Sequence, residues 1–267
     1  MARWGLPARS RLLLFVPLLA AVAAVVLYEP PGAGAAAPAV VQPGPHAAVE
    51  GDAELGDRLY QRDCGFCHGA DGRGTARGQN LTEVGPAEAH YSITTGRMPI
   101  EEPGDERRRR EVFYKPDEVD ALIAHMRRFL APEPEIPEVE VESAKLSEGG
   151  EIYLAECAGC HQWSGAGGAL LGREAPGLQE ATPTQIAEAV RTGPSSMPAY
   201  GEEVMSEEEV NSVVKYVLYL REPQDRGGNG LWHLGPFAEG LIAWVVGIGV
   251  LILAVLWIGE RGTGVQP

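Results

Sequence analysis

Cysteine is scarce in this chain, and none is left over. Its 267 residues hold four, Cys64, Cys67, Cys157 and Cys160, and all four fall in two identical spacings. No further thiol remains for a structural disulfide. Positive charge is also in short supply: 22 Lys and Arg stand against 37 Asp and Glu, a formal net charge of −15. That balance argues against a nucleic-acid partner, which requires a basic face. It suits a soluble part that meets charged protein partners or simply carries a solvated surface. Aromatics make up 7% of the chain. Long apolar runs are few as well, and both lie near the ends.

The first run, Leu12 to Tyr28, has no charge in 17 residues; the second, Gly240 to Gly259, has none in 20. Twenty helical residues reach about 30 Å, one hydrocarbon core, so the second run predicts a transmembrane helix. Phe237, Trp244 and Trp257 stand near its ends, where interfacial aromatics are favoured. The first run follows Arg3, Arg9 and Arg11, which places its start on the cytoplasmic side. A retained anchor and a cleaved signal peptide both fit residues 1–28. Either way the middle of the chain is expected outside the cytoplasm.

Three breaks divide the rest. Residues 29–50 are rich in Pro, Ala and Gly and read as a tether. Residues 132–146 hold Pro132, Pro134 and Pro137 among five glutamates, so missing donors and like charges predict an extended linker. Residues 224–235 lead into the last helix, 236–259. Between the breaks lie 51–131 and 147–223, and these two segments repeat one another. Gly56, Leu59, Tyr60, Cys64, Cys67 and His68 recur as Gly149, Ile152, Tyr153, Cys157, Cys160 and His161, at an offset of 93. Thr95-Gly96-Arg97-Met98-Pro99 recurs as Thr192-Gly193-Pro194-Ser195-Ser196-Met197-Pro198. Each segment closes on a helical pattern, Pro116 to Leu130 and Ser206 to Leu220, with apolar residues at spacings of three and four. A long period with two copies predicts a duplicated all-α domain. Without a cofactor, so small a core is marginal.

Both cysteine pairs run straight into a histidine: Cys64-Gly65-Phe66-Cys67-His68 and Cys157-Ala158-Gly159-Cys160-His161. Cys-x-x-Cys-His is the attachment signature for c-type haem. Two thiols bond to the two vinyl groups of one porphyrin, and the adjacent imidazole supplies the proximal nitrogen to iron. A thioredoxin-like pair or half a zinc site shares the Cys-x-x-Cys part, but neither calls for His after it in both copies. Two covalently bound haem c groups are therefore expected, on Cys64 and Cys67 and on Cys157 and Cys160, with His68 and His161 as iron ligands.

Met98 and Met197 are the candidate second ligands. Each follows a Thr-Gly turn and precedes proline, in the same place in both copies. His90 and His125 are alternatives for the first site. A thioether opposite histidine raises the potential, and two axial ligands leave no open iron position, which points to electron transfer rather than oxygen or peroxide chemistry. The carbonyl orienting each proximal imidazole is expected near Ala175-Pro176-Gly177-Leu178 and near Gln79, where the first copy lacks proline. The run Arg107 to Arg110 reads as a solvated loop or a docking patch.

With these motifs in order between two apolar runs, and with Gly165-Ala166-Gly167-Gly168-Ala169-Leu170 and Gly235-Pro236-Phe237-Ala238-Glu239-Gly240, the chain resembles the dihaem cytochrome c subunit of the actinobacterial-type cytochrome bcc complex. The resemblance implies two tandem class-I-like cytochrome c domains. It also implies three partners: a cytochrome b subunit, a Rieske iron–sulfur subunit, and the copper-bearing subunit of a haem-copper oxidase. Electrons would pass from the Rieske cluster to that copper centre on the outer face of the cell membrane, as part of a quinol–cytochrome c reductase. A dihaem subunit of another membrane oxidase or dehydrogenase, or a dihaem peroxidase, is the alternative.

Overall fold

A computed structural model describes residues 52–170, 173–223 and 236–262. The N-terminal apolar run and tether lie outside the described residues. The chain divides into a body and a separate unit that holds the C-terminal helix.

The body contains the two copies. The first is built from α1 (Ala53–Asp63), α2 (Gly65–His68), α3 (Pro86–Thr94) and α4 (Pro116–Met126). The second is built from α5 (Leu146–Ile152), a π-helical turn (Tyr153–Cys157), α6 (Ala158–His161), α7 (Pro183–Thr192) and α8 (Glu207–Tyr219). Starts are written locally. Asp52 Oδ1 accepts from the amides of Glu54 and Leu55 at 3.0 and 3.1 Å. Thr182 and Ser206 close capping boxes with Gln185 and Glu209. Proline stands at the first position of α3, α4 and α7.

The all-α expectation needs one correction. In the second copy β1 (Gly168–Leu170) pairs antiparallel with β2 (Arg173–Ala175). The loop after His161 is longer than its counterpart in the first copy, and its returning strands satisfy their own backbone groups. The closing helices are also shorter than the apolar pattern. α4 ends at Met126, and the amides of Phe129 and Leu130 then turn back onto the Met126 carbonyl at 2.9 and 3.0 Å.

First and last helices cross tightly in each copy, and glycine makes this possible. A Cβ on Gly56 would lie 1.9 Å from Ala121 O, and one on Gly149 would lie 1.8 Å from Ser212 O. Around the first crossing pack Leu59, Tyr60, Leu122 and Ile123; around the second pack Tyr153, Val213, Val214 and Val217.

The acidic segment carries no regular structure over 135–140 and turns at 141–143 before α5, and it is packed rather than free. Ile136 packs on the first core, while Val139 and Val141 pack on the second. Arg127 pairs with Glu135, and Lys215 Nζ donates to the carbonyls of Glu142 and Ala144. Backbone amides and basic side chains offset the charge that would otherwise hold the segment off the surface.

The last helix, α9 (Pro236–Gly262), contains a candidate span, Glu239–Gly259, of 21 residues and mean hydropathy 2.8. Leu241, Trp244, Leu251 and Val255 on it are exposed. An all-round apolar surface of this length matches a hydrocarbon core.

Candidate haem sites

Each motif occupies one helical turn. The amides of Cys67 and His68 both donate to the Cys64 carbonyl, at 3.1 and 2.9 Å. Both thiols and the imidazole are thereby carried on one short element. Tyrosine ties it to the helix before. Tyr60 Oη donates to Gly69 O at 2.9 Å, and Tyr153 Oη donates to Gln162 O at 2.7 Å. The repeat flagged these tyrosines; only the fold gives them this role.

His68 Nδ1 lies 2.8 Å from Gln79 O, and His161 Nδ1 lies 2.9 Å from Pro176 O. A carbonyl oxygen only accepts, so Nδ1 carries the proton and Nε2 keeps its lone pair. The carbonyls thus come from the two stretches expected from the sequence. Proline is not needed in the first. There Thr75 Oγ1 donates to Cys67 O at 2.6 Å, and Leu81 N donates to Gly72 O at 2.7 Å. Gly74 N and Gly167 N donate to the carbonyls of His68 and His161, at 2.8 and 3.0 Å. Both glycines have positive φ, +82° and +79°, which an L side chain rarely adopts.

Burial pushes the Cys64 thiol up to about 12 and the Cys157 thiol up to about 11. Reactive cysteines and zinc thiolates need the opposite surroundings. Among the described residues, no group of three or more His, Cys, Asp or Glu is placed to hold a metal ion.

Met98 and Met197 differ from the other methionines described. Met126 and Met205 are 5% exposed and fill the two cores. Met98 and Met197 sit half-buried in the loops after α3 and α7, Met197 against the edge of the second core; their amides donate to Ser92 O and Pro194 O at 3.0 and 3.1 Å. The alternative histidines are engaged elsewhere. His90 meets Glu188 at 2.5 Å, and His125 is buried against Tyr60 and Phe129, with ring centroids at 5.3 and 5.8 Å.

The residues around both motifs suit a large apolar ring bearing acidic groups. Phe66, Leu154 and Trp163 stand exposed beside the cysteines. Next to Met98, Arg97 lies over the Tyr91 ring at 4.8 Å, and its Nη1 is buried with no hydrogen-bond partner. A buried guanidinium N–H of this kind fits a haem carboxylate.

The arginine run is not a simple solvated loop. Arg107 reaches Gln79 Oε1 at 3.5 Å. Arg109 crosses to the second copy, donating to Glu180 O at 2.9 Å and Gln185 Oε1 at 3.1 Å.

Residues 53–129 match the family "Cytochrome c", and residues 144–217 match "Cytochrome C oxidase, cbb3-type, subunit III". Two cytochrome c domains are therefore present, each a domain type that carries covalent haem c. The chain is 31% identical over 237 residues to the "Cytochrome bc1 complex cytochrome c subunit" of Mycobacterium leprae, covering 84% of this chain and 82% of the relative. The proteins of the same description from Mycobacterium tuberculosis and Corynebacterium diphtheriae are both 32% identical. They cover 84% and 77% of this chain and 85% and 80% of the relatives. Similarity of this extent spans both motif-bearing domains and continues beyond them, and the chain belongs to the family of cytochrome c subunits of the cytochrome bc1 complex.

Proposed function

We propose that the chain is the dihaem electron-relay subunit of a membrane quinol–cytochrome c reductase. Its two class-I-like domains, 51–131 and 147–223, would each hold one haem c. Cys64 and Cys67 attach the first and Cys157 and Cys160 the second. His68 and His161 would hold the irons through Nε2, and Met98 and Met197 through their thioethers. Haem c, when bound, supplies a one-electron couple between ferric and ferrous iron. The chain's residues do the rest. The Gln79 and Pro176 carbonyls orient the imidazoles and hold the Nδ1 protons. Tyr60 and Tyr153 brace the attachment turns. Arg97 offsets carboxylate charge beside the first site.

The observation that carries this reading is the same imidazole–carbonyl pair beside the same cysteine turn in both domains. Family membership supports cytochrome b and Rieske iron–sulfur subunits as neighbours; the copper-bearing subunit of a haem-copper oxidase would be the acceptor. Helix α9 would anchor the domains on the outer face of the cell membrane, with residues 1–28 as an N-terminal anchor or signal and 236–259 as the C-terminal span.

Purification from membranes tests the setting: cytochrome b and a Rieske protein should accompany the chain, and their absence refutes it. Met98→Ala and Met197→Ala test the ligands. Each should keep covalent haem on a denaturing gel, lose one Met–iron near-infrared band, and lower the potential of that site alone. A potential that does not move refutes that ligand.

A further inference from the structure

α3 and α7 are equivalent helices in the two domains, each leading directly to the Met-bearing loop. They pack against each other and form the joint between the domains. Its centre is polar and buried. His90 on α3 and Glu188 on α7 are 98 residues apart, with Nδ1 and Oε1 at 2.5 Å. Their side chains are 7% and 0% exposed. Glu188 Oε2 is buried with no hydrogen-bond partner. Hydrogen bonds on one side continue the joint. Gln185 Nε2 donates to Thr94 O at 2.9 Å, and Arg109 Nη2 donates to Gln185 Oε1 at 3.1 Å. Tyr91, which Arg97 overlies, feels the charge of both Arg109 and Glu188.

The repeat makes the pair informative. At the offset of 97 that relates α3 to α7, His90 corresponds to Ala187 and Tyr91 to Glu188. Neither half of the pair recurs in the other copy, so neither serves a task common to both domains. The two unrepeated residues meet only across the joint.

We propose that His90 and Glu188 form an interdomain clasp, a pair of positioning residues that sets the register of α3 on α7 and so holds the two Met-bearing loops in one fixed relation. The energetics favour register over stability. A buried ion pair contributes little beyond an apolar pair of similar volume, because desolvation offsets its attraction. Burial raises the Glu188 pKa, while His90 draws it back down. What the pair has, and an apolar pair lacks, is a directional contact between Nδ1 and Oε1 that only one register makes. An apolar contact between two helices slides at low cost; a buried carboxylate that loses its one partner does not. Fixing the loops fixes the relation between the two proposed iron sites, to which electron transfer is sensitive through distance and orientation. This consequence rests on the proposed function; the clasp itself does not.

The test uses the full-length haem-loaded chain in detergent, with nitroxide labels on Glu54→Cys and Glu208→Cys. Both positions are exposed and helical, one in each domain. Pulsed EPR should give one narrow distance distribution. The volume-matched His90→Leu/Glu188→Leu variant should fold and at least double that width. The exchanged His90→Glu/Glu188→His variant should bring the width back toward the original. A double-leucine distribution as narrow as the original overturns the clasp. If that variant does not accumulate, His90→Ala, which deletes only the imidazole, is read the same way: broadening supports the clasp and no change overturns it. A chain that takes up no covalent haem would overturn the proposed function instead, and the clasp would then be read with the four motif cysteines replaced by alanine, so that only the two introduced thiols carry label.

Discussion

Gly149→Ala should be among the most damaging single-methyl changes this chain can receive. The added Cβ would lie 1.8 Å from Ser212 O and 2.4 Å from Ser212 C. Both are backbone atoms in α8, so no side-chain rotation relieves the overlap. Restoring an ordinary contact requires α5 and α8 to part by about 1.5 Å. The opening strips contacts from Tyr153, Val213 and Val214, which are 2% exposed or less. Overpacking of this kind costs about 3 kcal/mol or more. For a body of this size that is a fall in Tm of about 6–12 °C. The assay is thermal unfolding of the haem-loaded chain followed by Soret circular dichroism. Gly159→Ala is the control. A Cβ there meets nothing within 4 Å, and the equivalent position in the first copy is Phe66. A Gly149→Ala protein within about 2 °C of the parent would refute the close crossing, and with it the reason for glycine at both positions.

Gln162 adopts φ 62° and ψ 160°, a region open essentially to glycine, whereas the equivalent residue in the first copy is Gly69. Gln162→Gly should therefore stabilise the second domain by about 1–3 kcal/mol in denaturant unfolding. Acid should weaken the linker's attachment to the first domain. The Arg127 hydrogen bond holds the Glu135 carboxyl below the usual range. A depressed folded pKa stabilises above the unfolded value of about 4.3 and is lost as pH falls through the lower folded value. Tm measured from about pH 6 down to about pH 3 should fall less steeply in Arg127→Ala than in the parent.

The proposed haem attachment was legible in the sequence because covalent attachment is local. Two thiols and an imidazole must share one helical turn, so Cys64 to His68 and Cys157 to His161 are readable without the fold. The orienting carbonyls were legible to within a few residues because a proximal imidazole calls for a backbone acceptor, which the loop after its motif supplies. The repeat marked Gly56, Gly149, Tyr60 and Tyr153 as special, but their tasks depend on a partner helix some 60 residues away and on a carbonyl whose direction only the folded loop sets. The pairing of Gly168–Leu170 with Arg173–Ala175 was not legible because the strands are three residues each, below the length at which alternation is detectable.

The joint between the domains was not legible at all. His90 looked like a spare ligand and Arg109 like part of a solvated run, since nothing in their neighbourhood names Glu188 or Gln185. By itself, then, the sequence determined the proposed haem-attachment motifs, the duplication and the candidate membrane span. Each of these depends on residue type at short spacing or on a continuous run. Tertiary structure alone decided how the copies meet. A contact across 98 residues is selected by the packing of two helix faces, and the free energy of that packing is a property of the pair rather than of either segment.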